Sequence, residues 1–200
     1  MVFKSSGTSL NARVDSSKLS KCVYGFALSR FINAIVELRR RHPQSPIFLS
    51  KFDIKSAYRQ VHLQGQAALQ SCVSTLGLQQ EADDPVLALI GLRMTFGGRP
   101  NPAIFCEISD CIVDLAVALS QCPNWSPATM PSSYSHVLKA PVRLPEDIPF
   151  AQAAPSLVQP PVPEAGTADG FIDDVFSANV VTDKNERADR LAQAVLLAME

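Results

Sequence analysis

The 200-residue sequence contains no apolar run of about eighteen residues, the length that a membrane-spanning helix needs. Its opening residues, MVFKSSGTSLNARVDSSKLS, lack the apolar core of a secretory signal peptide. The five cysteines are an odd number, and their spacing is not that of a metal site. Cys106 and Cys111 are therefore predicted to be buried thiols in a reducing compartment. Together these absences predict an intracellular protein, cytoplasmic or nuclear, that is neither secreted nor bound to a membrane.

Charge is divided unevenly along the chain. Residues 1–63 hold 11 lysines and arginines against three acidic residues, a net charge of +8, whereas the whole sequence has a net charge of −1. The remaining residues therefore carry −9, which is −1 minus +8. A basic part next to an acidic part fits a phosphate-binding surface beside a carboxylate site. Solvated helix faces explain the same pattern, so charge alone assigns no function.

Helix and strand patterns alternate along the chain. Apolar residues at helical spacing predict a helix over residues 24–41, and PIFLSKFDI predicts a strand that ends at Asp53. Two further strands are expected within QSCVSTL and PVLALIGLRMTF. A helix capped by Asn101 is expected over residues 102–120, with an apolar stripe formed by Ile104, Ile108, Cys111, Ile112, Leu115 and Leu119. This order predicts an α+β fold in which helices pack on one face of an antiparallel sheet.

Residues 120–167 differ from the rest, because they hold ten of the fifteen prolines and show no sustained periodicity. They are predicted to form a long insertion that is extended or partly disordered. The chain is thereby divided into residues 1–119, the insertion 120–167 and residues 168–200. In the last part, the apolar arms of GFIDDVFSANVV predict a β-hairpin, and a helix with a capping box closes the chain.

Three short motifs carry candidate functional residues, and each is ambiguous alone. Asp53 ends a predicted strand and is followed by Tyr58, but an aspartate at a strand end is more often a helix cap. The link TFGGRPNPAIF has the glycines of a ligand-binding loop and equally of an ordinary turn. The adjacent Asp173 and Asp174 fit a tight turn. They also fit a site at which a divalent cation offsets their repulsion.

Taken in order, these motifs resemble motifs A, B and C of the reverse transcriptase palm: Asp-x-x-x-x-Tyr after a strand, Phe-Gly-x(4)-Pro-Ala-x-Phe, and Phe-x-Asp-Asp between apolar arms. The resemblance covers most of residues 10–115 and 168–198. The opening LNARVDSSKLSKCVYGFALSRFINAIVELRRRHP also looks like the fingers-side approach to motif A in retroelement polymerases. The resemblance implies a fragment of a retrotransposon polyprotein that contains a palm with partial fingers.

The resemblance implies an RNA-directed DNA polymerase, which transfers a nucleotide from a deoxynucleoside triphosphate to a primer 3′-hydroxyl. In that family two Mg²⁺ ions, with Mn²⁺ as an alternative, are held by carboxylates and bridge the attacking and leaving oxygens. By the resemblance, Asp53 and Asp173 would hold both ions, and Asp174 would support them. The carbonyl of Ile54 would add a metal contact. The three aspartates are the expected catalytic residues.

The same resemblance predicts the partners and the nucleotide-binding residues. Tyr58 matches an aromatic steric gate that excludes a 2′-hydroxyl, although it also fits a core tyrosine. Phe96 and Gly97 match the start of motif B, which lines the incoming nucleotide. The expected partners are a primed RNA or DNA template and deoxynucleoside triphosphates, with no membrane, and the oligomeric state stays open. Six basic residues could contact template phosphates: Arg30, Arg39, Arg40, Arg41, Lys51 and Arg59.

Departures from the family pattern bear on activity. Phe171 stands where the family more often has tyrosine, and the gap between motifs B and C is far longer than in compact members. No thumb fits after the helix that follows motif C, so the fragment alone is expected to hold primer and template poorly. Three alternatives stay open: a non-catalytic nucleic-acid-binding remnant of a transposable element, an RNA-dependent RNA polymerase palm, and an unrelated metal-binding module.

Overall fold

The computed structural model describes residues 10–19, 21, 24–74, 88–138, 166–180 and 186–200. The chain forms two compact units. Unit 1 consists of Met1–Cys22 and Lys55–Phe105, and unit 2 of Val23–Ile54 and Cys106–Glu200. Two separate stretches of chain thus build each unit.

The described residues contain both helices and strands. In chain order they are α1 (Leu10–Arg13), α2 (Ala27–Arg41), β1 (Ile47–Asp53), α3 (Ala57–Gln60), α4 (Gly65–Gln70), β2 (Val73–Ser74), β3 (Ala88–Leu89), α5 (Asn101–Gln121), β4 (Gly166–Phe171), β5 (Asp174–Val180) and α6 (Glu186–Ala198). Single turns of 3-10 helix lie at Ser16–Lys18, Tyr24–Phe26 and Ser135–Val137. None of the helices in the described ranges is both long and apolar enough to cross a membrane.

Unit 2 is built on a three-stranded antiparallel sheet with the strand order β1-β5-β4. β5 pairs along its whole length with β1, from Ile47↔Val180 to Asp53↔Asp174, and with β4 over Gly166–Phe171. The strand predicted before Asp53 and the hairpin predicted around the two adjacent aspartates are therefore confirmed. A small antiparallel sheet combined with helices also agrees with the predicted α+β class.

Helices cover both faces of this sheet. On one face, α2 packs Phe31 and Leu38 against Ala178 of β5, and on the other face α5 and α6 pack against Val175. Successive side chains of a strand point to opposite faces, and both β5 residues are fully buried. Full burial of a side chain such as Leu38 stabilises the fold by about 1.5–3 kcal/mol. The prediction that helices pack on one face is wrong, because β5 buries side chains on both of its faces.

α2 contains a buried glutamate near its C-terminal end. Glu37 accepts hydrogen bonds from Arg40 Nε at 2.8 Å and from Arg41 Nε at 2.7 Å. The hydrogen bond from Arg40 is the main interaction that lowers the pKa of Glu37 to about 2. Arg39 donates to the main-chain oxygen of Ser45 at 2.9 Å, just beyond the helix. The three arginines of the last turn therefore stabilise the end of α2.

The helix predicted over residues 102–120 is confirmed as α5, but its buried side differs from the predicted stripe. Ile104, Cys111 and Leu115 are exposed, whereas Cys106 and Ala116 are buried. The prediction of a buried thiol is confirmed for Cys106 and wrong for Cys111. Apolar residues occupy nearly every side of this helix, so the sequence does not determine which side turns inward.

The segment after α5 contacts α6 within unit 2. Trp125 is buried, and its ring lies 5.0 Å from the guanidinium carbon of Arg190. Arg190 Nε donates to Ser120 O at 2.8 Å, and Arg190 Nη2 donates to Cys122 O. One side chain of α6 thus satisfies carbonyl groups at the end of α5. Residues 139–165, the larger part of the predicted insertion, lie outside the described residues.

The described part of unit 1 contains short elements. β2 and β3 pair over two residues each, and residues 75–87, which hold parts of both predicted strands, lie outside the described residues. A single bridge joins His62 to Arg93, and Met94 N donates to Val61 O at 3.0 Å. Among the described residues of this unit, the buried apolar ones are Ala57, Tyr58, Ala68, Met94, Ala103 and Phe105.

Candidate functional site

The ends of β1 and β5 bring two of the three predicted catalytic aspartates together. Asp53 and Asp174 lie directly opposite one another in the β1–β5 pairing. Ile54 N donates to Asp173 O at 2.8 Å, so by antiparallel alternation Asp53 and Asp174 form a non-hydrogen-bonded pair. The side chains of such a pair lie on the same face, with Cα atoms about 4.5 Å apart. The metal contact of the Ile54 carbonyl stays a prediction.

Asp173 lies in the two-residue turn between β4 and β5. Ile172, the first residue of this turn, has a φ of 59°. A positive φ at that position is typical of a type II′ turn, which favours glycine there. A left-handed conformation costs an ordinary L-residue about 1–2 kcal/mol. The turn therefore holds Asp173 next to Asp174 with some backbone strain.

Lys51 supplies a positive charge to these carboxylates. Its Nζ lies 2.9 Å from Asp174 Oδ2, and Lys51 is two residues before Asp53 on the same face of β1. The hydrogen bond to Asp174 raises the pKa of Lys51, and the charges of Asp53 and Asp173 raise it further. Like charges directly opposite one another destabilise a sheet, so Lys51 offsets the repulsion between Asp53 and Asp174.

The aspartates fit a hard divalent cation by their chemistry, because Mg²⁺ prefers oxygen ligands and retains several waters. Within the described ranges, however, no three His, Cys, Asp or Glu side chains are arranged to hold a metal ion. Lys51 is bonded to one oxygen of Asp174. A metal site at the three aspartates therefore requires Lys51 to leave or share that oxygen.

A pocket of about 540 Å³ lies beside β1. It is lined by Ser50, Lys51, Phe52, Asp53, Tyr134, Val137, Leu138, Leu196 and Met199. Sequence analysis missed Tyr134, Val137 and Leu138, because a proline-rich segment without periodicity gives no pattern from which to place them. The lining combines apolar side chains with the charged Lys51 and Asp53. Such a lining suits a ligand with an apolar and a polar end.

Tyr58 belongs to an aromatic group in unit 1. Its ring centroid lies 5.0 Å from that of Phe96 and 5.2 Å from that of Phe105, and both pairs are edge to face. Tyr58 is 9% exposed and Phe105 is 1% exposed, whereas Phe96 is 66% exposed. Edge-to-face pairs add about 0.5–1.5 kcal/mol beyond the burial of area. Tyr58 is thus packed in a core and contacts an exposed ring, and its gate role stays a prediction.

The segment TFGGRPN, which resembles motif B, is hereafter called the glycine loop (residues 95–101), and it is held by two asparagine side chains. Asn11 Nδ2 donates to Gly97 O at 2.7 Å, and Arg99 N donates to Asn11 Oδ1 at 2.8 Å. Asn101 Nδ2 donates to the main-chain oxygen of the first loop residue at 2.6 Å. Asn101 is the first residue of α5 rather than its cap, which corrects the predicted capping role. Sequence analysis missed Asn11, because a contact across 86 residues leaves no local pattern.

Five of the six basic residues predicted to contact phosphates have partners within unit 2. Arg30 donates to both carboxylate oxygens of Asp169, at 3.0 and 2.7 Å, and the hydrogen bond raises the pKa of Arg30. The other four, whose contacts are given above, are Arg39, Arg40, Arg41 and Lys51. Arg59 of unit 1 is exposed. Because much of this charge is neutralised within the molecule, phosphate binding by these residues stays a prediction.

Comparisons with protein-family models, with curated proteins and with solved structures gave no match. The resemblance therefore depends on the three motifs and on the arrangement of their residues. To the motifs, the structure adds the pairing of Asp53 with Asp174 and the position of Asp173 in the adjacent turn.

Proposed function

We propose that this chain is the palm and partial fingers of an RNA-directed DNA polymerase, a reverse transcriptase, from a retrotransposon. The observation that carries the proposal is the direct pairing of Asp53 with Asp174 at the ends of β1 and β5. The two residues belong to separate motifs, and the pairing of β1 with the hairpin puts them side by side. Opposed carboxylates cost stability, so their presence at a strained turn supports a chemical use for them.

In this proposal the three aspartates hold the metal ions. Asp53 and Asp173 would hold the two ions, and Asp174 would support them from the start of β5. Bound Mg²⁺ would lower the pKa of the primer 3′-hydroxyl and neutralise charge on the triphosphate. Lys51 offsets the repulsion between the carboxylates in the folded sheet, and its bond to Asp174 would have to be released for a metal ion to reach that oxygen.

The residues of unit 1 select the nucleotide in this proposal. Tyr58 excludes the 2′-hydroxyl of a ribonucleotide, and its ring is held between Phe96 and Phe105. Gly97 has no Cβ, so its backbone allows a ligand to approach closely. A preference for deoxynucleotides favours a reverse transcriptase over an RNA-dependent RNA polymerase, which must admit the 2′-hydroxyl.

A primer-extension assay tests this proposal. The chain is incubated with oligo(dT)-primed poly(rA), dTTP and Mg²⁺, and products are separated on a denaturing gel. We expect elongation of the primer, at a low rate because this chain is expected to hold primer and template weakly. Asp53→Asn and Asp173→Asn should each slow it by about 100-fold or more, because metal ions contribute several kcal/mol to such reactions. Asp114→Asn, which changes an exposed carboxylate on α5, is the matched control and should leave the rate unchanged.

The other outcomes of the assay separate the alternatives. Elongation with UTP in place of dTTP would identify an RNA-dependent RNA polymerase. Retention of the primed template in a gel-shift assay, without elongation, would identify a non-catalytic nucleic-acid-binding remnant. The absence of both elongation and binding would contradict the proposed function.

A further inference from the structure

The glycine loop is fixed by hydrogen bonds rather than by burial. Phe96 is two-thirds exposed, so little apolar contact holds its ring in place. Gly97, the next residue, has a φ of 94°, in a region where glycine is flexible and other residues are strained. The position of the loop therefore depends on the bonds that its main chain makes with the side chains of Asn11 and Asn101.

Asn11 is chemically suited to hold two points of this main chain at once. A side-chain amide has both donors and an acceptor, and Asn11 uses both kinds of atom. It donates to the carbonyl of Gly97 and accepts from the N–H of Arg99. Arg99 Nη1 adds a 3.4 Å bond to Asn11 O. Aspartate has the same shape but would keep only the acceptor, so this position favours asparagine.

The loop carries the exposed ring that contacts Tyr58. The rings of Phe96 and Tyr58 meet at 86°, with centroids 5.0 Å apart. Phe105, the second aromatic neighbour of Tyr58, is held by its own burial. A shift of the glycine loop would therefore move Phe96 relative to Tyr58 while leaving Phe105 in place.

We propose that Asn11 is a positioning residue for nucleotide selection. Through the main chain of the glycine loop, Asn11 fixes Phe96 against Tyr58 and so sets the discrimination between deoxyribonucleoside and ribonucleoside triphosphates. Asn11 acts through residues 97 and 99 and has no contact with the nucleotide itself in this scheme. The inference rests on the proposed function, because it assigns the gate role to Tyr58.

Nucleotide binding to the wild-type chain and to Asn11→Ala tests the inference. Isothermal titration calorimetry is performed with dTTP and separately with UTP, in the presence of Mg²⁺ and poly(rA) primed with a chain-terminated oligo(dT). We expect the wild type to bind dTTP more tightly than UTP. Asn11→Ala should weaken dTTP binding by about tenfold and bring the two dissociation constants close together, because two hydrogen bonds to the loop are lost.

The ratio of the two dissociation constants is the decisive readout. Partial unfolding would lower the number of binding sites but would not change this ratio. Asn11→Asp should give an intermediate ratio, because it retains the acceptor for the Arg99 N–H. Hydrogen exchange of the Arg99 amide should accordingly be faster in Asn11→Ala and nearly unchanged in Asn11→Asp. Asn124→Ala, at an exposed asparagine of unit 2, is the matched control and should leave both constants unchanged.

Three results would overturn the inference, and they are distinguishable. If the wild type discriminates and folded Asn11→Ala discriminates equally well, Asn11 has no positioning role and the proposed function stands. If the wild type binds neither nucleotide, the proposed function fails and the inference fails with it. If circular dichroism shows that Asn11→Ala is unfolded, Asn11→Asp is measured in its place. A ratio of the dTTP and UTP dissociation constants in Asn11→Asp equal to that of the wild type would then overturn the inference.

Discussion

At the scale of single residues, the carboxylate site combines repulsion with one compensating charge. Asp53 and Asp174 lie opposite one another, and Lys51 Nζ lies 2.9 Å from Asp174 Oδ2. The lysine side chain is more than half exposed, so its attraction to the carboxylates is screened by water and salt. The ion pair between Lys51 and Asp174 is therefore weak, as the proposed exchange of this lysine for a metal ion requires.

Substitution of Lys51 by glutamine should lower the free energy of unfolding at low ionic strength. In about 1 M salt the loss should shrink, because the Debye length falls to about 3 Å. Added Mg²⁺ should stabilise Lys51→Gln more than the wild type, since under the proposed function the cation binds the carboxylates of the folded state and no longer competes with a lysine there. Urea unfolding followed by tryptophan fluorescence measures both effects.

Lys55→Gln is the matched control for this substitution, because Lys55 is exposed and lies in the turn after β1. The free energy of unfolding of Lys55→Gln should respond to salt and Mg²⁺ as that of the wild type does. A loss of stability in Lys51→Gln that is the same at low and high salt would show that Lys51 acts through packing rather than charge.

At the scale of elements, α2 depends on a buried charge near its C-terminal end. Glu37 is buried and bonded to two arginines that follow it by three and four residues. This arrangement places the arginines where the helix dipole favours cations. It also makes the stability of α2 depend on the ionisation of one carboxyl group.

The unfolding free energy of the wild type should fall as the pH drops from about 4.5 towards 2. The pKa of Glu37 is lowered from 4.5 to about 2 by folding, so the unfolded chain binds the proton first and protonation favours unfolding. Glu37→Gln should be less stable than the wild type at neutral pH, and the difference should narrow as the pH approaches 2. Urea unfolding followed by circular dichroism at several pH values measures this difference.

Asp114→Asn, which changes an exposed carboxylate on α5, is the control. Its free energy of unfolding should change with pH as that of the wild type does. If the curves of the wild type and Glu37→Gln run parallel between neutral pH and pH 2, then Glu37 does not have the lowered pKa that its arginine contacts imply.

The sequence predicts those elements whose patterns are local. β1, the hairpin, α5 and α6 were all expected close to their positions, because each has a clear period or a clear turn signal. The placement of Asp53 opposite Asp174 agrees with the expected meeting of two motifs. The gate role of Tyr58 and the metal ligands remain predictions.

The features that the sequence does not predict depend on contacts between distant residues. α5 has apolar residues on nearly every side, so the exposure of Leu115 at 49% and the burial of Ala116 follow from its neighbours and not from its own period. The cover on both faces of the sheet follows from the packing of α2 against one face of β5 and of α5 and α6 against the other. Asn11 lies in a short helix with no motif of its own, and only the fold brings it to the glycine loop.

At the scale of the whole molecule, unit 2 is connected by contacts between its last helix and earlier parts of the chain. Arg190 of α6 donates to carbonyl groups at the end of α5 and lies over the ring of Trp125. This single residue therefore joins α6, α5 and the segment after α5. Trp125 is the one tryptophan of the sequence, so its fluorescence reports on this junction.

Arg190→Met should lower the free energy of unfolding of unit 2 by about 1–3 kcal/mol. The substitution keeps an apolar side chain of similar length but removes the hydrogen bonds to the α5 carbonyls and the cation–π contact. Urea unfolding followed by Trp125 fluorescence measures the change. Arg13→Met, at an exposed arginine of unit 1, is the control and should leave the Trp125 transition unchanged. An unchanged transition in Arg190→Met would mean that the contacts of Arg190 do not stabilise unit 2.

The pairing of β1 with β5 also determines when the carboxylate site can exist during synthesis. Asp53 and Asp174 are separated by 121 positions, which is 174 minus 53. At about 5–20 residues per second, a ribosome takes roughly 6 to 24 seconds to add the chain between them. Until then β1 has no β5 partner, and a strand edge without its partner is prone to pair with other chains. Asp53 therefore has no partner until Asp174 has been added, and the carboxylate pair forms late in the synthesis of each molecule.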